Sequence, residues 1–425
     1  MLLRKINFFS FTKHLILISC IKVFYASCSY AQIFDLVEHR TFTKEEIPFR
    51  YEGNFILVSI LFNNLLPLTF IIDTGAEYSL LTKKEIADFL NIDYQRRFTL
   101  YGADMKEELY AYLTKNISLQ MGNLHATHRS ILVLEEDYFR FEEYSGIQIH
   151  GILGADFLKR FTVQIDYQKQ VITFFNPSYF QNKIKIRKEK EEIIPFTLIK
   201  SKPYIRCTTN LYDQEIKTLN YLIDTGAGLS LLLYTAIDSL KEAKVKMLNS
   251  PIGQGLGGNL EGYVGRIKNI QFASKKFPEL VTKFQQRPDF SNTLILTPRD
   301  GIIGNNLLST FSKITFDYNN SNLIVANNNK KIKQKPYDRS GLIIAASGEN
   351  LNNFTIMNII ENTPASEAGL EAGDKIKKIN GLSTTLLSLE GVNNKFRASL
   401  GKKIVLHILR EQKILIFEFR LQEII

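Results

Sequence analysis

The chain has 425 residues, 45% of them hydrophobic and 12% aromatic, which allows two or three domains with sizeable cores and excludes a disordered or low-complexity protein. Its formal net charge is +10, and four of those positive charges fall in the first 31 residues. Without that segment the charge is +6, too mild to imply nucleic acid as a partner.

Residues 1–31 contain Arg4, Lys5, Lys13 and Lys22, no acid, and an apolar stretch from Leu15 to Ile21. Small residues at Ser29 and Ala31 flank a plausible cleavage point, so the segment reads as a signal peptide and the protein as exported to a periplasm, a cell surface or the medium. A lipoprotein signal ending at Cys28 is the rival reading, with Tyr25 a poor fit three residues before it. Membrane attachment would require lipidation at Cys28, since the apolar run is far shorter than the roughly 20 residues of a spanning helix. With Cys20 and Cys28 in that segment, Cys207 is left alone, so the core must hold by packing without disulfides. Its neighbours Tyr204, Ile205 and Arg206 make it a buried strand residue before they make it a nucleophile.

From Phe49 onward, short alternating segments such as Phe55 to Ile60 predict strands, and Lys83 to Leu90 is the main helix candidate. Phe70-Ile71-Ile72-Asp73-Thr74-Gly75-Ala76 is an apolar run ending in an acid, a hydroxyl and a glycine. An acid closing a buried strand is out of place in a core, although Asp and Gly in succession usually mark only a turn. His125 and His128 have metal-like spacing, but no third ligand accompanies them and no metal is expected. Lys183 to Glu192 is a dense mixed-charge run that reads as a solvated connection.

Further on, Tyr221-Leu222-Ile223-Asp224-Thr225-Gly226-Ala227 repeats the first motif 151 residues later. A second feature repeats in register. Gly151-Ile152-Leu153-Gly154 recurs 150 residues on as Gly301-Ile302-Ile303-Gly304, and Asp166-Tyr167 recurs as Asp317-Tyr318. A unit of that length is a domain-sized lobe rather than a solenoid repeat. Gly253-Gln254-Gly255-Leu256-Gly257-Gly258 lacks the preceding parallel strand and following helix of a phosphate loop.

With both motifs and both glycine partners in one chain, residues Phe49 to Ala326 resemble the aspartic proteases of the pepsin and retropepsin class. The Ala after each Asp-Thr-Gly is closer to the retropepsin form. The resemblance implies a mainly β, bilobal protease, with lobe one over 49–182 and lobe two over 193–326. It implies that Asp73 and Asp224 form the catalytic pair, that Thr74 and Thr225 hold the two loops together, and that Gly75 and Gly226 permit the turn beside the acids. Ser79 and Ser230 are structural, with no base beside either. Two carboxyls sharing a site cannot both ionise easily, so one serves as base and the other as acid on a water that attacks a peptide carbonyl. Polypeptides are then the substrates, and no cofactor is implied. Residues Phe98 to Tyr112, with Tyr101 and Gly102 near the tip, form either the substrate-covering flap or an ordinary hairpin. Gly255 and Gly257 occupy the matching place in lobe two, as a second flap or a glycine-rich turn. Ala76 and Ala227 cannot hydrogen-bond the acids as a hydroxyl would, so the dyad is expected to work at mildly acidic to neutral pH.

Asn327 to Pro336 reads as a linker. Beyond it, Gly369-Leu370-Glu371-Ala372-Gly373-Asp374-Lys375-Ile376 and Ile379-Asn380-Gly381 resemble a PDZ domain of the bacterial protease-associated kind, an α+β unit over 337–421. The resemblance implies that Gly341, Leu342 and Ile343 offer amides to a peptide C-terminus, beside a helix within Leu386 to Ser399. The alternative function, from another class, is a catalytically silent peptide-binding scaffold on the same lobes.

Overall fold

The computed structural model describes residues 42–101, 108–187, 189–212, 216–255, 258–286, 299–327 and 336–425. Residues 1–31, where a signal peptide is expected, and Gly102 and Gly257 lie outside them. The protein is mainly β, with two similar lobes, a sheet shared between them and a smaller α+β domain.

In lobe one, the strand Phe55–Phe62 turns back through Asn63 and Asn64, both left-handed (φ 49° and 56°), into the strand Leu66–Ile72. Asparagine tolerates that backbone better than most side chains, which keeps the hairpin tight. Leu66–Ile72 is apolar on both faces because it lies inside the sheet, pairing antiparallel with Phe55–Phe62 and parallel with Gly151–Leu153. Lobe two repeats this, with Ile216–Asp224 parallel to Gly301–Gly304. Each acid thus sits where a central strand ends beside its glycine partner. The expected helix after the first motif is present as Lys84–Phe89.

The lobes share a six-stranded sheet. At its centre Thr162–Asp166 runs antiparallel to Lys313–Asp317, one strand from each lobe. Gln164 faces Thr315, its equivalent 151 residues later, and donates Nε2–H to Oγ1 at 3.0 Å. Equivalent residues facing each other mark a pseudo-twofold axis. The outer strands of this sheet are Lys44–Pro48, just before lobe one, and Glu191–Pro195, into which the charged connection runs. One apolar core runs through both lobes and the shared sheet, from Ile56, Phe70 and Phe174 to Tyr221, Phe284 and Phe316. Cys207 is buried in it on the strand Lys202–Asn210, where burial pushes its thiol up to about 12.

The PDZ domain has its own core, built around Ile344, Phe354, Ile376, Val392, Phe396 and Leu406. Its groove helix, Leu389–Phe396, starts at Ser388, whose Oγ accepts the Gly391 amide at 3.1 Å. Asp374 of the glycine-aspartate motif is buried and held by Arg410 through two bonds of 2.7 Å each.

Candidate active site

The two Asp-Thr-Gly loops meet at the pseudo-twofold axis. Thr74 Oγ1 donates to the Ile223 carbonyl (2.7 Å) and Thr225 Oγ1 donates to the Ile72 carbonyl (2.8 Å). Each hydroxyl also accepts the other threonine's amide, both at 3.1 Å. Both threonines are buried, so these four bonds close a dry clasp between the lobes.

Beside the clasp, Asp73 Oδ1 accepts the amides of Gly75 (2.7 Å) and Ala76 (2.9 Å), and Asp224 Oδ1 accepts that of Gly226 (2.8 Å). The carboxyls face each other across the axis, each beside the glycine of the opposite loop. Glycine is needed after each Thr because of this approach. A Cβ on Gly75 would lie 2.4 Å from the Asp224 carboxyl carbon, and one on Gly226 would lie 2.2 Å from that of Asp73. Each motif's glycine makes room for the acid of the other lobe.

Burial first, and then the facing charge of Asp224, hold the Asp73 carboxyl well above the usual carboxylate range. Burial raises Asp224 as well, opposed by the hydrogen bond from Asp73, the charge of Arg299 and the amides of Gly226 and Ala227. The pair therefore retains a proton, and Arg299 biases the negative charge towards Asp224. The dyad titrates as one unit.

The glycine partners support the loops from behind. A Cβ on Gly154 would meet the Tyr78 carbonyl carbon at 2.7 Å, and one on Gly304 the Leu229 oxygen at 2.3 Å. Ser79 Oγ donates to Asp156 at 2.7 Å and accepts the Gly154 amide at 3.0 Å, while Ser230 Oγ accepts from Asn306 at 2.7 Å. Both serines brace the turns.

Residues 58–160 match the family model described as gag-polyprotein putative aspartyl protease, and residues 355–410 match a PDZ domain. The chain carries a retropepsin-like aspartyl protease domain and a C-terminal PDZ domain. Its fold is similar to conglutin gamma, a basic 7S globulin from lupine seeds, at 11% identity over 68% of this chain and 96% of that one, with a TM-score of 0.42. Basic 7S globulin from soybean gives 9% identity over 68% and 95%, with a TM-score of 0.39. At those scores neither likeness carries an argument about activity. No curated protein matches the chain.

The aspartyl protease match covers lobe one alone, and the duplicated geometry supplies the second acid from lobe two. Of the flap candidates, Tyr101 ends the strand Tyr94–Tyr101, which pairs antiparallel with Glu108–Thr114. Gly255 pairs with Gly258 at the end of the hairpin between Met247–Gly255 and Gly258–Phe272. His125 and His128 are exposed on the strand Leu124–Arg129. Among the described residues no three His, Cys, Asp or Glu side chains group as metal ligands would. In the PDZ domain, Asp338 Oδ1 accepts the amides of Ser340 (2.9 Å) and Gly341 (2.7 Å), and Ser340 Oγ accepts that of Leu342 (3.1 Å). A ligand carboxylate reaching these amides must displace the chain's own acceptors.

Two cations near the dyad escaped sequence reasoning. Arg299 donates Nη2–H to Tyr234 Oη at 3.0 Å and lies over that ring at 5.4 Å. Lys202 is lowered by burial and by the charge of Arg299, against the opposing charges of Glu77 and Asp224. The neighbouring position did carry a signal. Asp300 Oδ2 accepts the Asn220 amide (2.9 Å), as His150 Nδ1 accepts the equivalent Thr69 amide (3.0 Å). Arg299 itself matches Ile149 in lobe one, so no repeat announced it.

Proposed function

We propose that this protein is an aspartic endopeptidase. The observation that carries the reading is the symmetric pair of carboxyls, each seated on its own loop's amides and facing the other across the threonine clasp. A water bound between the carboxyls loses a proton to the ionised Asp and attacks the peptide carbonyl. The protonated Asp donates to the carbonyl oxygen, and the tetrahedral diol collapses as the leaving amine takes up a proton. The raised dyad favours activity at mildly acidic to neutral pH. The 1–31 segment exports the enzyme, and the PDZ domain binds peptides, C-termini among them.

The test is cleavage of a mixed peptide library across a pH series, comparing the unmodified protein with Asp73→Asn and Asp224→Asn. Turnover that vanishes in both variants and is blocked by pepstatin supports the proposal. Turnover that survives either substitution overturns it. Peptide retained without turnover moves the protein to the binding-scaffold class.

A further inference from the structure

The chain does not finish at the last PDZ strand, Lys413–Arg420. The Leu421 amide donates to the Lys402 carbonyl at 3.0 Å and that of Gln422 to the Arg339 carbonyl at 3.2 Å, so the path stays on the PDZ domain for two residues. Glu423 then pairs with Arg339 and with Arg266 of the lobe-two strand Gly258–Phe272, both at 3.2 Å. Ile424 and Ile425, 8% and 6% exposed, enter an apolar cluster of lobe two with Leu232, Tyr234, Ile252, Val264 and Ile302.

The face of lobe two that receives them is set by register. Leu222 and Asp224 point to the same side of the strand Ile216–Asp224, because side chains alternate along it. Leu222 pairs with Ile302, Ile302 with Leu232, Leu232 with Lys283, and Lys283 with Val264. Ile302, Leu232 and Val264 thus continue the face of Asp224, whereas Leu231 and Leu233 point into the main core. Tyr234 of the same cluster holds Arg299, the cation whose charge reaches Asp224.

On the corresponding face of lobe one the PDZ domain meets a short helix that itself packs there. Ile71, two residues before Asp73, clusters with Leu57, Ile147, Phe55 and Phe141. The short helix Phe141–Ser145 packs against the PDZ strand Leu342–Ser347. At its end Gly146 (φ 69°) lies so close to the groove helix that a Cβ there would sit 2.7 Å from Leu389 Cβ. The domain therefore meets lobe one through this helix, and lobe two through the segment that follows its last strand.

We propose that the Asp224 face of lobe two is a peptide pocket for aliphatic side chains, and that Leu421–Ile425 fills it as an intramolecular competitor. The pocket's role in catalysis rests on the endopeptidase reading, while its occupancy by a peptide does not. Two β-branched aliphatic residues with an acid before them are the ligand it holds, which gives the chemistry of the peptides it takes from elsewhere. Glu423 is the latch, because its two arginine partners come one from each domain.

The experiment uses the full chain with Ile424→Ser and Ile425→Ser together, and separately with Glu423→Arg, which opposes both arginines without touching the cluster. Binding of a synthetic acetyl-Leu-Gln-Glu-Ile-Ile-amide and peptide cleavage are both read. The isoleucine variant is expected to bind the peptide where the unmodified chain does not, and to lower KM for aliphatic peptides by about tenfold or more, since the competing segment no longer occupies the pocket. The peptide should inhibit that variant competitively, and Glu423→Arg should move both readouts the same way by less. If the isoleucine variant fails to fold, Glu423→Arg decides alone. Cleavage unchanged in the variants with no peptide bound overturns the pocket and leaves the endopeptidase intact. Peptide bound by the variant alone with no cleavage in any form supports the pocket and overturns the endopeptidase reading. Neither binding nor cleavage in any form overturns both.

Discussion

Thr225→Val removes one hydroxyl from the clasp and almost nothing else. Valine has nearly the shape of threonine, so no cavity opens at a residue with no solvent exposure. Two bonds disappear, the 2.8 Å donation to the Ile72 carbonyl and the 3.1 Å acceptance of the Thr74 amide. Both abandoned groups belong to buried residues, and a buried polar group left without a partner costs about 1–3 kcal/mol. The two together give about 2–6 kcal/mol, and about 3 kcal/mol once the hydroxyl's own desolvation is no longer incurred. At about 2–4 °C per kcal/mol for a unit of this size, the protease transition should fall by roughly 6–12 °C in calorimetry. Thr74→Val should cost the same, because its two bonds are the mirror of these. Thr225→Ser keeps both bonds and should lose only about 1 kcal/mol for the methyl group. A Thr225→Val loss below about 1 kcal/mol, or a serine variant no better than valine, refutes the clasp as a bond between lobes.

A carboxyl raised in the fold binds its proton more tightly there than in the unfolded chain, so its contribution is present below the unfolded pKa and is lost as pH rises through the folded one. Asp73→Asn cannot ionise, and is expected to be more stable than the unmodified protein at neutral pH, by about 1.4 kcal/mol for each unit of elevation, with no difference in strong acid; urea titrations at both pH values check it, and a variant less stable at neutral pH contradicts it. Arg299→Gln removes the cation that favours ionised Asp224, so the acidic limb of the kcat/KM profile should move to higher pH while Arg299→Lys leaves it in place. An unmoved limb in Arg299→Gln would show that its charge does not reach the dyad. Asp338→Ala strips the acceptor from the Ser340 and Gly341 amides and should destabilise the PDZ domain by about 1–3 kcal/mol, read as faster hydrogen exchange over Leu342–Ser347.

The pair of facing acids was legible in the primary structure because each half is encoded locally. An apolar strand, an acid at its end, a hydroxyl and a glycine need only neighbouring residues to be recognised, and the duplication at 151 residues says that two such loops exist to be paired. Cys207 in the core and the helix after the first motif were legible for the same reason. Spacing alone did not convey which glycine clears which acid, since each glycine's close contact is with the opposite lobe. Arg299 could not be read because its partners, Tyr234 and Asp224, lie 65 and 75 residues away and its equivalent in lobe one is the apolar Ile149. The PDZ domain reads out to about Leu421 from its motifs, and the next four residues carry no pattern of their own.

Sequence by itself determined two similar β lobes, one acid from each, and a PDZ unit after them, because strand periodicity and turn chemistry act over a few residues at a time. Tertiary structure alone decided that Phe141–Ser145 packs against the PDZ strand Leu342–Ser347 and that Ile424 and Ile425 lie on the face of Asp224. Those contacts join segments up to about 200 residues apart. They depend on which faces remain apolar once each domain has closed its core, a property no local stretch contains.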